Sequence, residues 1–158
     1  MRTIIIGIGN PVRSDDAVGL VVASVLHHRL AHEPEIDVTE LWAGGMRLVE
    51  AMVGYDQAII VDAMATGEQT PGTVRRLTMN DLGGAQNLTC AHDTSLPTAL
   101  EIWRTSGMSV PKDITIWGIE GKDFMTLSEQ LTPAVAAAVP VVTSAILDEL
   151  NPRQRKAA

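Results

Sequence analysis

The chain has 158 residues, 46% hydrophobic and 20% charged, with a formal net charge of −7. That length and apolar content suit one domain with a sizeable core and exclude a disordered chain. No basic cluster offsets the acidic balance, which argues against a nucleic-acid or anionic-membrane surface, although a basic segment of a protein partner would be attracted.

The first predicted element is a strand over Thr3–Ile8, a short apolar run ending in the glycine turn Gly7-Ile8-Gly9-Asn10. A helical pattern follows over Ala17–His32, a second strand over Ile36–Leu41, and a short helix near Met46–Val53. The third strand is predicted over Ala58–Val61, ending at Asp62, and the fourth over Thr73–Leu77. The stretch between them holds Gly67 and Pro71-Gly72 and is too short for a helical crossover, so the fourth strand is expected to run antiparallel. A helix near Ser95–Ser106, a fifth strand over Ile114–Gly118 and a last helix over Pro133–Leu150 complete the pattern. In that last helix Thr132-Pro133 reads as N-cap and first helical position, and Pro140 is expected to bend it. The expected architecture is a three-layer α/β/α fold with a mostly parallel, mixed five-stranded sheet. Residues 1–150 are read as its single domain, and 151–158 as a polar tail that frays.

The lone cysteine, Cys90, rules out an internal disulfide and fits a reducing cytoplasm. The N-terminal apolar run stops at Asn10-Pro11, short of a signal peptide. The stretch Ala134 to Val142 is short and interrupted by Pro140, so no membrane span is expected.

Ligands of open α/β sheets sit beyond the carboxyl ends of the strands. Past the first strand come Asp15 and Asp16, at the second Glu40, at the third Asp62, and past the fifth Glu120. The fourth leads to a loop with Cys90, His92 and Asp93. Asp15 and Asp16 have an ordinary reading as helix N-terminal acids, and they would repel a phosphate placed at that helix end. Asp62 ends a buried apolar run and needs a partner, either loop N–H groups or a cation. His92 reads as a loop or cap histidine when taken alone. Two carboxylates and one imidazole nonetheless make an ordinary ligand set for a divalent metal with open positions. Cys90 is more simply a small buried hydrophobe than a nucleophile paired with His92. His27, His28 and His32 read as a solvated helix face.

The segment Gly7-Ile8-Gly9-Asn10-Pro11-Val12-Arg13-Ser14-Asp15-Asp16-Ala17-Val18-Gly19 resembles the opening motif of the endopeptidases that mature nickel–iron hydrogenases. The strand end at Asp62, Cys90-Ala91-His92-Asp93-Thr94-Ser95-Leu96, Gly118-Ile119-Glu120 and Leu131-Thr132-Pro133-Ala134-Val135 resemble its later blocks, in order and at the right length. Ala17 stands where Gly is commoner, Asp16 where some members have Glu, and Leu41-Trp42-Ala43-Gly44-Gly45 is only loosely like the family's glycine-rich segment.

The resemblance implies an endopeptidase that removes a C-terminal extension from a hydrogenase large-subunit precursor after nickel insertion. It places the metal-binding positions on Asp16, Asp62 and His92, with nickel carried by the substrate and no organic cofactor. Water would be activated by the metal or by a carboxylate, Asp16 or Glu40. Two other functions share these features. One is a nucleotide-binding Rossmann-like module, for which the third glycine is missing at Val12; the other is a non-catalytic metal-delivery protein.

Overall fold

A computed structural model describes residues 1–84 and 95–151. Five strands form one sheet in the order β2-β1-β3-β5-β4. They are β1 (Thr3–Ile8), β2 (Ile36–Leu41), β3 (Gln57–Met64), β4 (Val74–Thr78) and β5 (Asp113–Glu120). β1, β2, β3 and β5 are mutually parallel, and β4 pairs antiparallel with β5, as the short link before it requires.

Side-chain alternation divides the core in two. Ile4, Ile6 and Ile8 of β1, with Ala58, Ile60 and Met64 of β3, pack with α2 (Gly45–Met52) and α3 (Leu96–Thr105). Ile5 of β1, with Ile59, Val61 and Ala63 of β3, packs with α1 (Val18–Arg29) and α4 (Pro133–Leu150). Burial on both faces explains why β1 and β3 read as continuous apolar runs. This is the expected α/β/α fold.

Three boundaries differ from the sequence reading. β3 and β5 each run further at the carboxyl end, so Asp62 lies inside its strand and Glu120 is the last residue of its own. β3 continues past Asp62 paired with β5 to Met64, and Asp62 Oδ1 accepts the Ala63 N–H at 2.8 Å. The first helical segment is also split. A 3-10 turn, Ser14–Ala17, precedes α1.

α4 runs unbroken through Pro140 for 18 residues, so the stretch around 134–142 is neither short nor interrupted. By length and composition this helix would suffice to cross a membrane. Here it lies on the sheet through Val135, Ala138, Val142 and Ile146. Its far end is fastened by Glu149, which accepts from Arg76 of β4 and from Thr115 and Trp117 of β5.

Candidate active site

The parallel strands deliver their carboxyl ends to one edge. There the chain leaves β1 through Gly9 and Asn10, and Gly9 N–H donates to Leu41 O of β2. The 3-10 turn then folds back over this edge and touches β3. Glycines permit that approach. A Cβ on Gly19 would collide with the backbone oxygens of Ile8 and Val61, and one on Gly9 with the carbonyl of Asp16. So Asp16 rests against the end of β1, while the first turn of α1 rests on the residue before Asp62. The structure thereby brings Asp16 and Asp62 to the same edge of the sheet.

Asp62 is fully buried and lies two residues from both Ile60 and Met64 along β3, which places it with them on the α2/α3 face. Asp16 is half-buried. Its N–H donates to Arg13 O. His92, Cys90 and Asp93 lie outside the described residues. The segment that carries them leads into α3, the helix on the face of Asp62. Glu40 is exposed and borders a shallow depression with Ala23, Ser24 and His27 of α1. That is the opposite face from Asp62, so the structure does not bring these two carboxylates together. His27, His28 and His32 are exposed, as a solvated face should be.

Asp15 differs from its expected role. It does not cap its own helix, and no side chain caps α1. It is completely buried, at 0% exposure, and accepts hydrogen bonds from distant parts of the chain. Its donors are Lys122 N–H at 2.8 Å, Asp123 N–H at 2.9 Å, Thr132 N–H at 2.7 Å and Thr132 Oγ1 at 2.9 Å. Thr132 does sit at the N-cap of α4, but its hydroxyl is turned to Asp15 rather than to its own helix. Ser14 beside it has φ 46°, a left-handed conformation costing a non-glycine residue about 1–2 kcal/mol. Two further bonds hold it there, Ser14 N–H to Ser128 O and Ser14 Oγ to Gln130 O. None of these contacts is local, which is why the sequence did not show them.

Glu120 is buried too, and ties the end of β5 to the loop leaving β3 through Thr66 Oγ1 and Gly67 N–H. Around the edge stand large apolar side chains in the open. Trp42 is 71% exposed, Met125 82% and Leu127 81%, and Val12, whose carbonyl accepts the Ser128 N–H, is exposed too. Sequence reasoning missed this rim, because exposure of a single Met or Leu leaves no periodic signal.

The place that a dinucleotide fold keeps for phosphate is filled here. Gly9 faces the carbonyl of Asp16, an acceptor oxygen, and Asp15 and Asp16 occupy the 3-10 turn that precedes α1. A glycine-packed acidic turn at this sheet edge leaves no opening of the kind a nucleotide phosphate uses. The family comparison is specific. The hydrogenase maturation protease model matches residues 20–149, and the chain belongs to that family. It is therefore an endopeptidase of hydrogenase maturation.

The chain is 26% identical over 152 residues to hydrogenase 2 maturation protease of Escherichia coli K12, covering 96% of this chain and 92% of that protein. Among solved structures it is similar to the hydrogenase maturating endopeptidase HybD from E. coli. That pair has a TM-score of 0.74 and 24% identity, covering 95% of this chain and 92% of the other. It is also similar to the [NiFe] hydrogenase maturation protease HybD from Thermococcus kodakarensis, with a TM-score of 0.69, 20% identity, and coverage of 96% and 100%.

Proposed function

We propose that the protein removes a C-terminal extension from a nickel–iron hydrogenase large-subunit precursor once nickel is in place, and that it reads the nickel through Asp16, Asp62 and His92. The observation that carries this reading is the packing of the Asp16 turn against the half of β3 that holds Asp62. His92, which lies outside the described residues, is added to them by the family resemblance of its segment. Two carboxylates and an imidazole leave coordination positions open to ligands from a partner. Thiolates in the precursor are softer and would hold nickel more firmly than this oxygen-rich set, so the ion stays with the substrate during docking.

The three side chains then act as a gauge. They complete the coordination of an ion already seated in the precursor and set the scissile segment beside the sheet edge. Asp16, half-exposed at that edge, is better placed than Glu40 to take a proton from attacking water, since Glu40 lies on the α1 face. The exposed rim of Val12, Trp42, Met125 and Leu127 suits a protein-sized substrate better than a small molecule. No organic cofactor is needed for this chemistry. A cytoplasmic setting fits the single cysteine.

The test is a gel-shift assay of precursor shortening, with nickel-loaded and nickel-free precursor, with and without the protein. Processing of the loaded form alone is expected, with Asp16→Asn weakening it. Equal processing of both forms in a strong chelator would overturn nickel sensing and leave a carboxylate-catalysed peptidase. Tight metal binding without any shortening would instead indicate a metal-delivery protein.

A further inference from the structure

Asp15 has no part in the proposed reading of nickel, yet it is buried and heavily engaged at this edge. Four donors converge on it, from Lys122, Asp123 and Thr132. An ionised carboxylate only accepts, so it alone among side chains of its size can satisfy all four. The return contacts run the other way. Asp15 N–H donates to Asp123 O, and Ser14 N–H donates to Ser128 O. The turn that carries Asp16 is thus laced to segment 121–132 on both sides of the peptide chain.

That lacing holds a conformation the turn would not adopt alone. Ser14 sits in the left-handed region, where a side chain is disfavoured, and such outliers persist when the surroundings over-determine them. On its other side Asp16 meets Gly9, with no room for a Cβ. Asp16 is therefore fixed between the end of β1 and the Asp15 junction. We propose that Asp15 is a positioning residue: by clamping segment 121–132 and the start of α4 to the Ser14–Ala17 turn, it sets the direction of the Asp16 carboxylate. The inference rests on Asp16 serving the site proposed above.

The experiment compares Asp15→Asn, Asp16→Asn and the double variant in cleavage of nickel-loaded precursor. Asn at 15 turns an NH2 group toward donors while keeping the size of the side chain. Asp15→Asn should slow cleavage by about 10- to 100-fold, the range for residues that orient a ligand. Val142→Ala, a fully buried α4 residue away from the junction, serves as a control for lost stability and should keep the rate. In the Asp16→Asn background, Asp15→Asn should change the rate by less than about twofold, since two residues acting through one group do not add.

Wild-type cleavage by Asp15→Asn, an equal loss in Val142→Ala at matched Tm, or additive losses in the double variant would each overturn the clamp. Amide exchange gives a readout free of activity. Asp15→Asn should speed exchange at Asp15, Asp16, Lys122 and Asp123 while leaving β1 protected, and unchanged exchange would also overturn it. Should Asp15→Asn fail to fold, Thr132→Val, which removes one of the four donors, carries the same comparison. Unchanged cleavage by Asp16→Asn would defeat the nickel reading alone, and the exchange arm would still decide the clamp.

Discussion

Glu120 accepts the Gly67 N–H at 2.9 Å, a bond that joins the last residue of β5 to the loop leaving β3. The other carboxylate oxygen accepts Thr66 Oγ1 at 2.8 Å. Both partners donate, so a glutamine in that place would face a donor with a donor. Glu120→Gln should lower stability by about 1–3 kcal/mol, the cost of leaving a buried polar group unmatched. Urea denaturation followed by circular dichroism measures it. An unchanged midpoint would show that the loop does not depend on this tether.

Gly19 is the residue on which α1 rests against β1 and β3. Gly19→Ala should destabilise by about 1–3 kcal/mol, as overpacking does, although alanine favours a helix. The backbone oxygens of Ile8 and Val61 cannot rotate away from the added methyl. A melting temperature equal to wild type would mean that the helix shifts freely over the sheet edge.

His92→Ala should lose most of the cleavage rate, and Cys90→Ser should keep most of it. The carboxylate–imidazole set explains a need for the histidine without any thiol. Rates of both variants on the same precursor decide the matter. A folded but inactive serine variant would indicate a cysteine nucleophile.

Hydrogen bonding from Thr126, first through its side chain and then its backbone, with Met125 N–H, holds the Asp123 carboxyl below its ordinary value of 3.8. A depressed pKa means that the ionised form is favoured in the folded state. Its contribution is present above pH 3.8 and is lost as pH falls through the lower folded value. The turn at Asp123–Thr126 should therefore loosen only in strong acid. Carbon-detected NMR titration of Asp123 should give a midpoint below that of a model peptide. A midpoint at or above it would remove the reason for the tight turn.

The layers of the fold were readable because burial on both faces leaves a plain signature. Ile4-Ile5-Ile6 and Ala58-Ile59-Ile60-Val61 can only be central strands, and the short link before β4 fixed its direction. Strand ends were less legible. Asp62 looked like a terminus because a charge interrupts the apolar run, whereas the strand continues to Met64. Asp16 and Asp62 were legible as candidates from their position past strand ends. Asp15 was misread because an acid before a helix has a local explanation, while its real partners stand more than a hundred residues further along the chain, at Lys122 to Thr132.

The strand order has a consequence for how the chain reaches this state. Among the described strands no sheet neighbours are joined by a hairpin, and the pairing shortest in sequence is between β1 and β2, from Thr3 with Ile36. Every pairing therefore closes a long loop before it is rewarded, which slows folding. β4 is in the hardest position. Among the described residues its neighbour in the sheet is β5, which a ribosome makes later and which must enter between β3 and β4. For that interval the Val74–Thr78 segment is an unmatched strand, open to adhesion with other chains. Two adjacent arginines, Arg75 and Arg76, sit in its middle. Such charges guard a sheet edge against foreign strands, and one of the two, Arg76, pairs with Glu149 once the sheet is complete.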